Sequence, residues 1–516
     1  MDGAEGLALL LSSSLCLCFI LKFLGKLWWT PMRIQRRLRG QEIQGPSYKF
    51  LHGNTKEIYR LRKDATSKPM EISHNIFPRI QPHIHAWINT YGRNYLQWHG
   101  TQPQLVVTEM EMIREIVSNK NGLFPKPKTR DYTRKLLGDG LVTVVDEKKW
   151  IKLRTVANQA FHGESLKLMF PVMVASTKEM LRRWEGCKGK EIEVFDEFRL
   201  LTSEVISRTA FGSSYLDGQN IFDMLIKLAA LAARASFKVK IPIISQLLND
   251  GDETEAEKLE KGIRDLVIKV IRSREQMGVG GEAAQAGGYG EDFLGRLVKS
   301  HHDPDKSKRI TLDDVVDECK TFYMAGHETT NNALAWAMLL LATHEDWQER
   351  ARKEVIQTLG QDEPSSEGVT RLKTLTMIIK ETLRLYPPVV ALQRNTGREV
   401  KLGDLVVPAN TNIYISTLAL HHDPKIWGED VLLFKPERFA EGVSKATNNN
   451  VTGFVPFGLG PRTCVGANYA ITEVKIVLAM ILQRYKVTLS ASYVHSPHVV
   501  ITIKPQHGVQ LILQSV

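Results

Sequence analysis

A mainly α chain with minor β (α+β) is the fold class this sequence predicts: a single large helical domain with small sheets, preceded by an N-terminal membrane anchor helix. Three observations carry it. Apolar residues recur with helical period over most of the length, short strand signals gather towards the two ends, and an uncharged apolar run opens the chain. Length alone allows roughly two to four ordinary domains, but strands gathered around one helical stretch favour a single one. With 516 residues, 43% hydrophobic and 24% charged, wholesale disorder and fibrous repeats are excluded. Five cysteines, an odd and sparse set, argue against a disulfide scaffold and for a body in a reducing compartment.

The opening run, Gly6 to Leu21, is uncharged and is followed by Phe23, Leu24 and Leu27. A spanning helix needs about 20 apolar residues, a length reached here if Lys22 and Lys26 snorkel their amines to the headgroups. Trp28 and Trp29 stand where an interfacial aromatic belt belongs. Acidic Asp2 and Glu5 lead, and Lys22, Lys26, Arg33, Arg36, Arg37 and Arg39 follow, the reverse of a cleavable leader. The expectation is a retained signal anchor over 1–29, a basic linker with a hinge at Gly45-Pro46 over 30–46, and a body over 47–516 kept cytosolic by the positive-inside bias. Residues 1–40 account for four of the eleven net positive charges. The body is only mildly basic, without a stripe of cations and aromatics, so nucleic acid is excluded as a partner.

Along the body, Thr108-x-x-Glu111 reads as a capping box that opens a helix after the strand-like Gln104–Val107. Helical periodicity then predicts helices at Trp150–Ala160, Ser165–Trp184, Phe195–Ala210, Ile221–Ala235, Glu255–Met277, Leu312–Thr343, Trp347–Leu359, Arg371–Tyr386 and Ala467–Arg484. Gly278–Gly290 holds six glycines in thirteen residues and reads as a flexible surface loop. Strand signals fall at Leu405–Val407, Asn412–Ser416, Lys486–Leu489, Val499–Ile503 and Val509–Leu513.

Chemistry concentrates at Cys464, in Phe457-Gly458-Leu459-Gly460-Pro461-Arg462-Thr463-Cys464-Val465-Gly466. A lone cysteine is usually a small buried hydrophobe. Here glycines at 458, 460 and 466 let backbone pass close to something large and flat, and Pro461 stiffens the loop. A helix begins at once, so its free N–H groups favour a thiolate. Such a thiolate suits an axial haem ligand.

This run matches the Phe-x-x-Gly-x-Arg-x-Cys-x-Gly signature, and the chain resembles the cytochrome P-450 family of haem-thiolate monooxygenases. The resemblance implies the cytochrome P-450 fold, with 47–516 as the haem-thiolate catalytic domain. Haem b (iron protoporphyrin) would be held by Cys464 as axial ligand to the iron, by Arg462 on a propionate, and by Phe457 beside the sulfur. It further implies that Trp150 and Arg154, four apart on one helix, and Arg394 serve the propionates. Glu381 and Arg384 at i and i+3 would be joined by Arg438 in a structural triad behind the haem.

Met324-Ala325-Gly326-His327-Glu328-Thr329-Thr330 lies in a long helical pattern. Ala325 and Gly326 remove bulk, and a Thr hydroxyl bonds back to a preceding carbonyl and bends the helix. In the family such a small pair makes room for dioxygen, while an acid and a hydroxyl, here Glu328 and Thr329, pass protons. His327 reads as a flank residue, and the pairs His301-His302 and His421-His422 as loop residues without metal spacing. With no Gly-x-Gly-x-x-Gly after a strand, electrons must come from a separate protein. For this family that is the NADPH–cytochrome P-450 reductase of the endoplasmic reticulum membrane, with NADPH used indirectly, and Lys148, Lys149 and Lys152 would steer it.

By the resemblance the pocket is lined from 121–145, 220–250, Phe322 to Ala325, Val389–Leu392 and Tyr493–His498, and takes a lipophilic small-molecule substrate. Ala-Gly-His-Glu-Thr-Thr, Leu-Tyr-Pro-Pro and Pro505-Gln506-His507-Gly508 resemble the microsomal plant clan acting on terpenoids and hormones. The reading is a membrane-bound monooxygenase that inserts one atom of O2 into such a substrate. Two alternatives stand beside it: an oxygen-independent haem-thiolate isomerase or dehydratase, and a non-catalytic haem-binding membrane protein. The first dispenses with an acid–Thr pair and with NADPH, and the second with both relay and reductase.

Overall fold

The computed structural model describes residues 2–119, 121–236, 251–279 and 288–516. Its helices of seven residues or more are α1 (Asp2–Leu24), α2 (Thr30–Arg39), α3 (Thr55–Ala65), α4 (Pro82–Tyr91), α5 (Met110–Ser118), α6 (Asp131–Leu137), α7 (Glu147–Phe161), α8 (Glu164–Trp184), α9 (Val194–Phe211), α10 (Tyr215–Ala235), α11 (Gly251–Val279), α12 (Phe293–His301), α13 (Leu312–Thr343), α14 (Glu345–Leu359), α15 (Lys373–Leu385) and α16 (Ala467–Leu482). The strands are β1 (Asn94–His99), β2 (Gln102–Val107), β3 (Glu191–Glu193), β4 (Ala391–Asn395), β5 (Val400–Leu402), β6 (Leu405–Val407), β7 (Asn412–Ser416), β8 (Tyr485–Leu489), β9 (Pro497–Val499), β10 (Ile503–Pro505) and β11 (Gln510–Ser515). They form a mixed sheet β1-β2-β7-β4, with β2 and β7 parallel, a sheet β3-β11-β8, and the ribbons β5-β6 and β9-β10.

The core is built around α13. Thr311 caps it, its hydroxyl accepting from Asp314 N–H while Asp314 returns the bond, the reciprocal box that satisfies the first free amides. From Leu334 to Leu341 every residue is buried, so the helix is apolar all round and is enclosed on every side. Phe322 stacks on Phe161 of α7 (5.1 Å) and Tyr323 on Phe211 of α9 (3.9 Å), which fixes α13 against both helices.

The start of the chain differs in one respect from expectation. α1 runs through a π turn at Gly25–Trp29 directly into α2, so the basic stretch continues the same helix to Arg39. Among the described residues, Leu10–Arg39 is the one helix long and apolar enough to cross a membrane, and Leu10, Leu15 and Phe19 are exposed. Residues 30–46 pack on the body. Leu38 and Ile43 are buried against β1 and β2, and Gln41 exchanges hydrogen bonds with both backbone groups of Val406. Gly45 lies so close to β1 that a side-chain carbon there would stand 2.0 Å from Leu96 O. Tyr48 donates its hydroxyl to Leu27 O (2.5 Å), tying the foot of the anchor to the body.

Local corrections have local causes. Thr108 is no cap: its hydroxyl donates to Arg93 O (2.7 Å), and α5 starts after Glu109 without a side-chain cap. Val499–Ile503 is not one strand but the turn between β9 and β10, whose partners are Val499 and Ile503. α11 extends to Val279, and 280–287 of the glycine-rich stretch lie outside the described residues, as do 237–250 of the expected pocket wall. His421 and His422 are buried at the end of a short helix rather than in a loop. His421 Nε2 accepts from Val455 N–H (3.0 Å), and His422 Nε2 bonds Leu385 O (3.0 Å). His301 closes α12, and His302 bonds Glu275 Oε1 (2.8 Å).

Candidate active site

Residues 454–466 deliver Cys464 to the N-terminus of α16. The turn is closed by Cys464 N–H to Phe457 O (2.8 Å) and Thr463 N–H to Gly460 O (3.1 Å). Gly458 and Gly460 have φ of +73° and +77°, a left-handed backbone that a side chain would strain. At Gly460 the close approach is to protein and not to a ligand, since an added carbon would lie 2.1 Å from Val117 O of α5. Gly466, by contrast, has open space around it. The Cys464 thiol is reachable by solvent. Its protein surroundings desolvate it and raise its pKa, opposed by the Gly466 N–H and by the Arg154 charge. The helix terminus and the arginine therefore do not make a thiolate by themselves; a metal ion bound by the sulfur would complete the ionisation.

Arg154 is held beside this sulfur. Its Nη1 donates to Thr463 O (2.5 Å) and its Nε to Asn158 Oδ1 (2.9 Å), so the cysteine loop's backbone occupies one end of it. Trp150, buried on the same helix, carries Arg462 over its ring at 4.7 Å. Arg462 also donates to Val144 O (3.1 Å) and to Glu147 Oε2 (3.0 Å).

Arg394 on β4 joins Arg462, together with a residue the sequence gave no reason to single out, Lys126. Burial, then Arg394 and Arg462, push the Lys126 amine down to about 7. Burial, then Arg462, lower Arg394 to about 10, with Glu147 opposing. Three largely buried cations face one another, and among the described residues one largely exposed carboxylate, Glu147, pairs with them through Arg462. Such a cluster calls for a bound anion. The two propionates of haem b fit this need, and the thiol of Cys464 fits its iron.

On α13 the open face belongs to Ala325, exposed, and Thr329, half-buried, four residues apart, while Met324, His327, Glu328 and Thr330 are buried. Thr329 Oγ1 donates back to Ala325 O (2.9 Å), as the sequence leads one to expect. Gly326 does not share that face. A side-chain carbon on it would meet Ile206 of α9 at 2.6 Å, so its smallness serves the approach of α9 to α13. Of the expected lining Phe322 to Ala325, the first three residues are buried in the core, leaving Ala325. Glu328 Oε1 accepts from the Thr502 hydroxyl (2.8 Å). His327 is fully buried against Phe222, and burial lowers its pKa to about 4. Val389 is exposed and Val390, Ala391 and Leu392 are half-buried, an apolar wall in reach of a ligand.

Glu381 and Arg384 on α15 form a fully buried bidentate pair (Nε–Oε2 and Nη2–Oε1, both 2.7 Å). Arg438 Nε stands 3.6 Å from Glu381 Oε1, while its other nitrogens donate to Trp427 O (2.8 Å) and Asp430 O (2.5 Å). Arg384 Nη1 reaches His421 O (2.9 Å), so the pair clamps the segments that precede the cysteine loop. Of the three lysines expected to steer a partner, Lys149 is spoken for by Asp139 (2.8 Å) and Asp314 (2.7 Å). Lys152 is half-buried and bends to Arg309 O (3.5 Å), which leaves Lys148 exposed.

Comparison with known proteins agrees with this geometry. The model of the family described as Cytochrome P450 matches residues 76–507. The chain is 55% identical to Cytochrome P450 CYP749A22 of Panax ginseng, covering 98% of this chain and 96% of that protein. It is 42% identical to 11-oxo-beta-amyrin 30-oxidase of Glycyrrhiza uralensis (94% of each chain) and 42% identical to echinocystic acid 23-monooxygenase of Saponaria officinalis (95% of each).

Proposed function

This chain belongs to the cytochrome P450 family, a family of haem b oxidoreductases supplied indirectly from NADPH, and from that premise we propose that it hydroxylates a lipophilic terpenoid. Bound haem b supplies the oxygen-activating chemistry. Cys464 donates the thiolate; Arg462, Arg394 and Lys126 neutralise the propionates, and Arg154 braces the cysteine loop from α7. Glu381, Arg384 and Arg438 hold the region behind the loop and touch no reacting atom. Ala325 leaves space on the open face of α13. Thr329 holds its hydroxyl over that face through the bond to Ala325 O and hands on a proton drawn from Glu328. Phe457 limits water at the sulfur, and Val389, Val390 and Leu392 give the substrate an apolar wall.

The observation that carries this reading is the solvent-reachable Cys464, bonded by the Gly466 N–H at the head of α16, in a structure that also gathers three cations, Arg462, Arg394 and Lys126, around the single ion pair of Arg462 with Glu147. A terpenoid is supported by that apolar wall and by relatives named for oxidation of β-amyrin-type and echinocystic-acid substrates. The helix over Leu10–Arg39 supports anchorage in the endoplasmic reticulum membrane, with the body on the cytosolic side, where the NADPH–cytochrome P-450 reductase is the electron donor. The test is incubation of the haem-loaded full chain with that reductase, NADPH and a panel of triterpenoids and plant-hormone precursors. NADPH-dependent products one oxygen atom heavier than the substrate are expected; turnover that needs neither NADPH nor O2 would contradict the proposal.

A further inference from the structure

Three successive turns of α13 each send one polar side chain to the same short piece of the β9–β10 ribbon. Glu328, Asn332 and Trp336 are spaced i, i+4 and i+8, one face of the helix. Asn332 Nδ2 donates to Thr502 Oγ1 (3.0 Å), and Thr502 Oγ1 donates to Glu328 Oε1 (2.8 Å). Trp336 Nε1 donates to Ile503 O (3.2 Å), and Ile503 N–H donates to Pro388 O (3.0 Å), so the backbone beside Thr502 is held from two sides. Glu328, Asn332 and Thr502 are all buried, at 8%, 0% and 2% exposure.

The chain of donors has one direction. Asn332 fills a lone pair of the Thr502 hydroxyl and leaves its single proton for the carboxylate. Glu328 Oε1 is thereby pinned. Oε2 has no hydrogen-bond partner among the described residues, yet it is not among the atoms sealed from solvent. A carboxyl group with one oxygen fixed and one open presents a single oxygen for proton exchange.

We infer that Thr502, outside the α13 motif, is a positioning residue that fixes the Glu328 carboxyl so that Oε2 alone exchanges protons with water and with the Thr329 hydroxyl. The inference rests on the relay role proposed above for Glu328 and Thr329. In the step, Oε2–H would give its proton to the Thr329 hydroxyl oxygen as that hydroxyl turns its own proton from Ala325 O towards oxygen bound in the pocket, and a proton delivered from bulk solvent along water would restore Oε2–H. Thr502 keeps its proton throughout. Its loss frees both carboxyl oxygens to rotate.

The experiment compares the haem-loaded full chain, wild type, with Thr502→Val, Thr502→Ser, Glu328→Gln and the Thr502→Val/Glu328→Gln pair. Product and peroxide formed per NADPH are followed against pH with reductase. Thermal midpoints of the same four variants and wild type are measured without turnover. Thr502→Val is expected to lower coupling roughly tenfold, the scale of one hydrogen bond to a charged group, and to alter the pH profile of peroxide release. Thr502→Ser restores both, and the two substitutions are non-additive in coupling and in thermal midpoint. If Thr502→Val does not fold, Thr502→Ala takes its place. Uncoupling by Glu328→Gln with none in Thr502→Val, or additive midpoints, overturns the inference and spares the relay. Full coupling in Glu328→Gln removes the relay and the inference with it.

Discussion

Replacing Arg384 by leucine strips a guanidinium from a place where neither it nor Glu381 is exposed at all. The substitution deletes two 2.7 Å bonds to Glu381, the bond to His421 O and the cation's seat 5.1 Å over the Trp427 ring. Glu381 keeps only the Lys435 N–H (3.0 Å) and the more distant Arg438. Breaking a buried pair from one side costs about 3–5 kcal/mol, because it leaves a charge unpaired. An exposed pair would cost below about 1 kcal/mol. Urea unfolding of the haem-loaded full chain, read by circular dichroism and by the haem absorbance, should show a loss in the higher range, on the order of a hundredfold or more in the folding equilibrium. Removing both charges with Glu381→Met and Arg384→Leu should recover part of it, since apolar groups can replace a buried pair with little loss. A loss under about 1 kcal/mol for the single change, or a double variant no better than the single one, would refute the assignment of a buried charged clamp.

Gly326→Ala should destabilise by about 1–3 kcal/mol, an overpacking cost, and adding Ile206→Val should relieve it; thermal melts of Gly326→Ala, Ile206→Val and the pair decide. Glu318, buried with only Leu141 N–H on its carboxyl, holds its proton up to about 8, against an ordinary value of 4.5. Its contribution to stability is therefore full below about 4.5 and is lost as pH rises through about 8. Glu318→Gln should flatten that fall, and midpoints on either side of the window check it. Lys148→Glu should slow reduction by the reductase at low salt and not at high salt, whereas Lys149→Glu should cost stability through Asp139 and Asp314; stopped-flow reduction separates the two. Thr329→Val should divert electrons to peroxide while haem content holds, and unchanged coupling would remove the hydroxyl from the relay.

How much of this was legible in the sequence depended on how local each feature is. Long helices with sustained periodicity, such as α8, α13 and α16, stand close to where the periodicity puts them, since burial of one face and the pattern of residues are the same fact. β1 escaped because four consecutive residues, Tyr95 to Trp98, are buried and leave no alternation to read. The capping box failed because the Thr108 hydroxyl found a carbonyl fifteen residues back, a competition no window of four residues contains. The cysteine loop was readable because an axial ligand, its glycines and the following helix are neighbours in sequence. Lys126 and Thr502 were not, because each gains its meaning from partners far along the chain, Arg394 and Arg462 for one, Glu328 and Asn332 for the other. The docking of 30–46 is of the same kind: Gln41 meets Val406 across more than three hundred residues.

The most direct test is the carbon-monoxide difference spectrum of the reduced full chain, wild type beside Cys464→Ala. A thiolate from residue 464 predicts the long-wavelength absorbance of sulfur-ligated haem in the wild type and its loss in the variant. A wild-type spectrum of the histidine-ligated kind, or a Cys464→Ala protein that keeps the sulfur signature, would contradict the account.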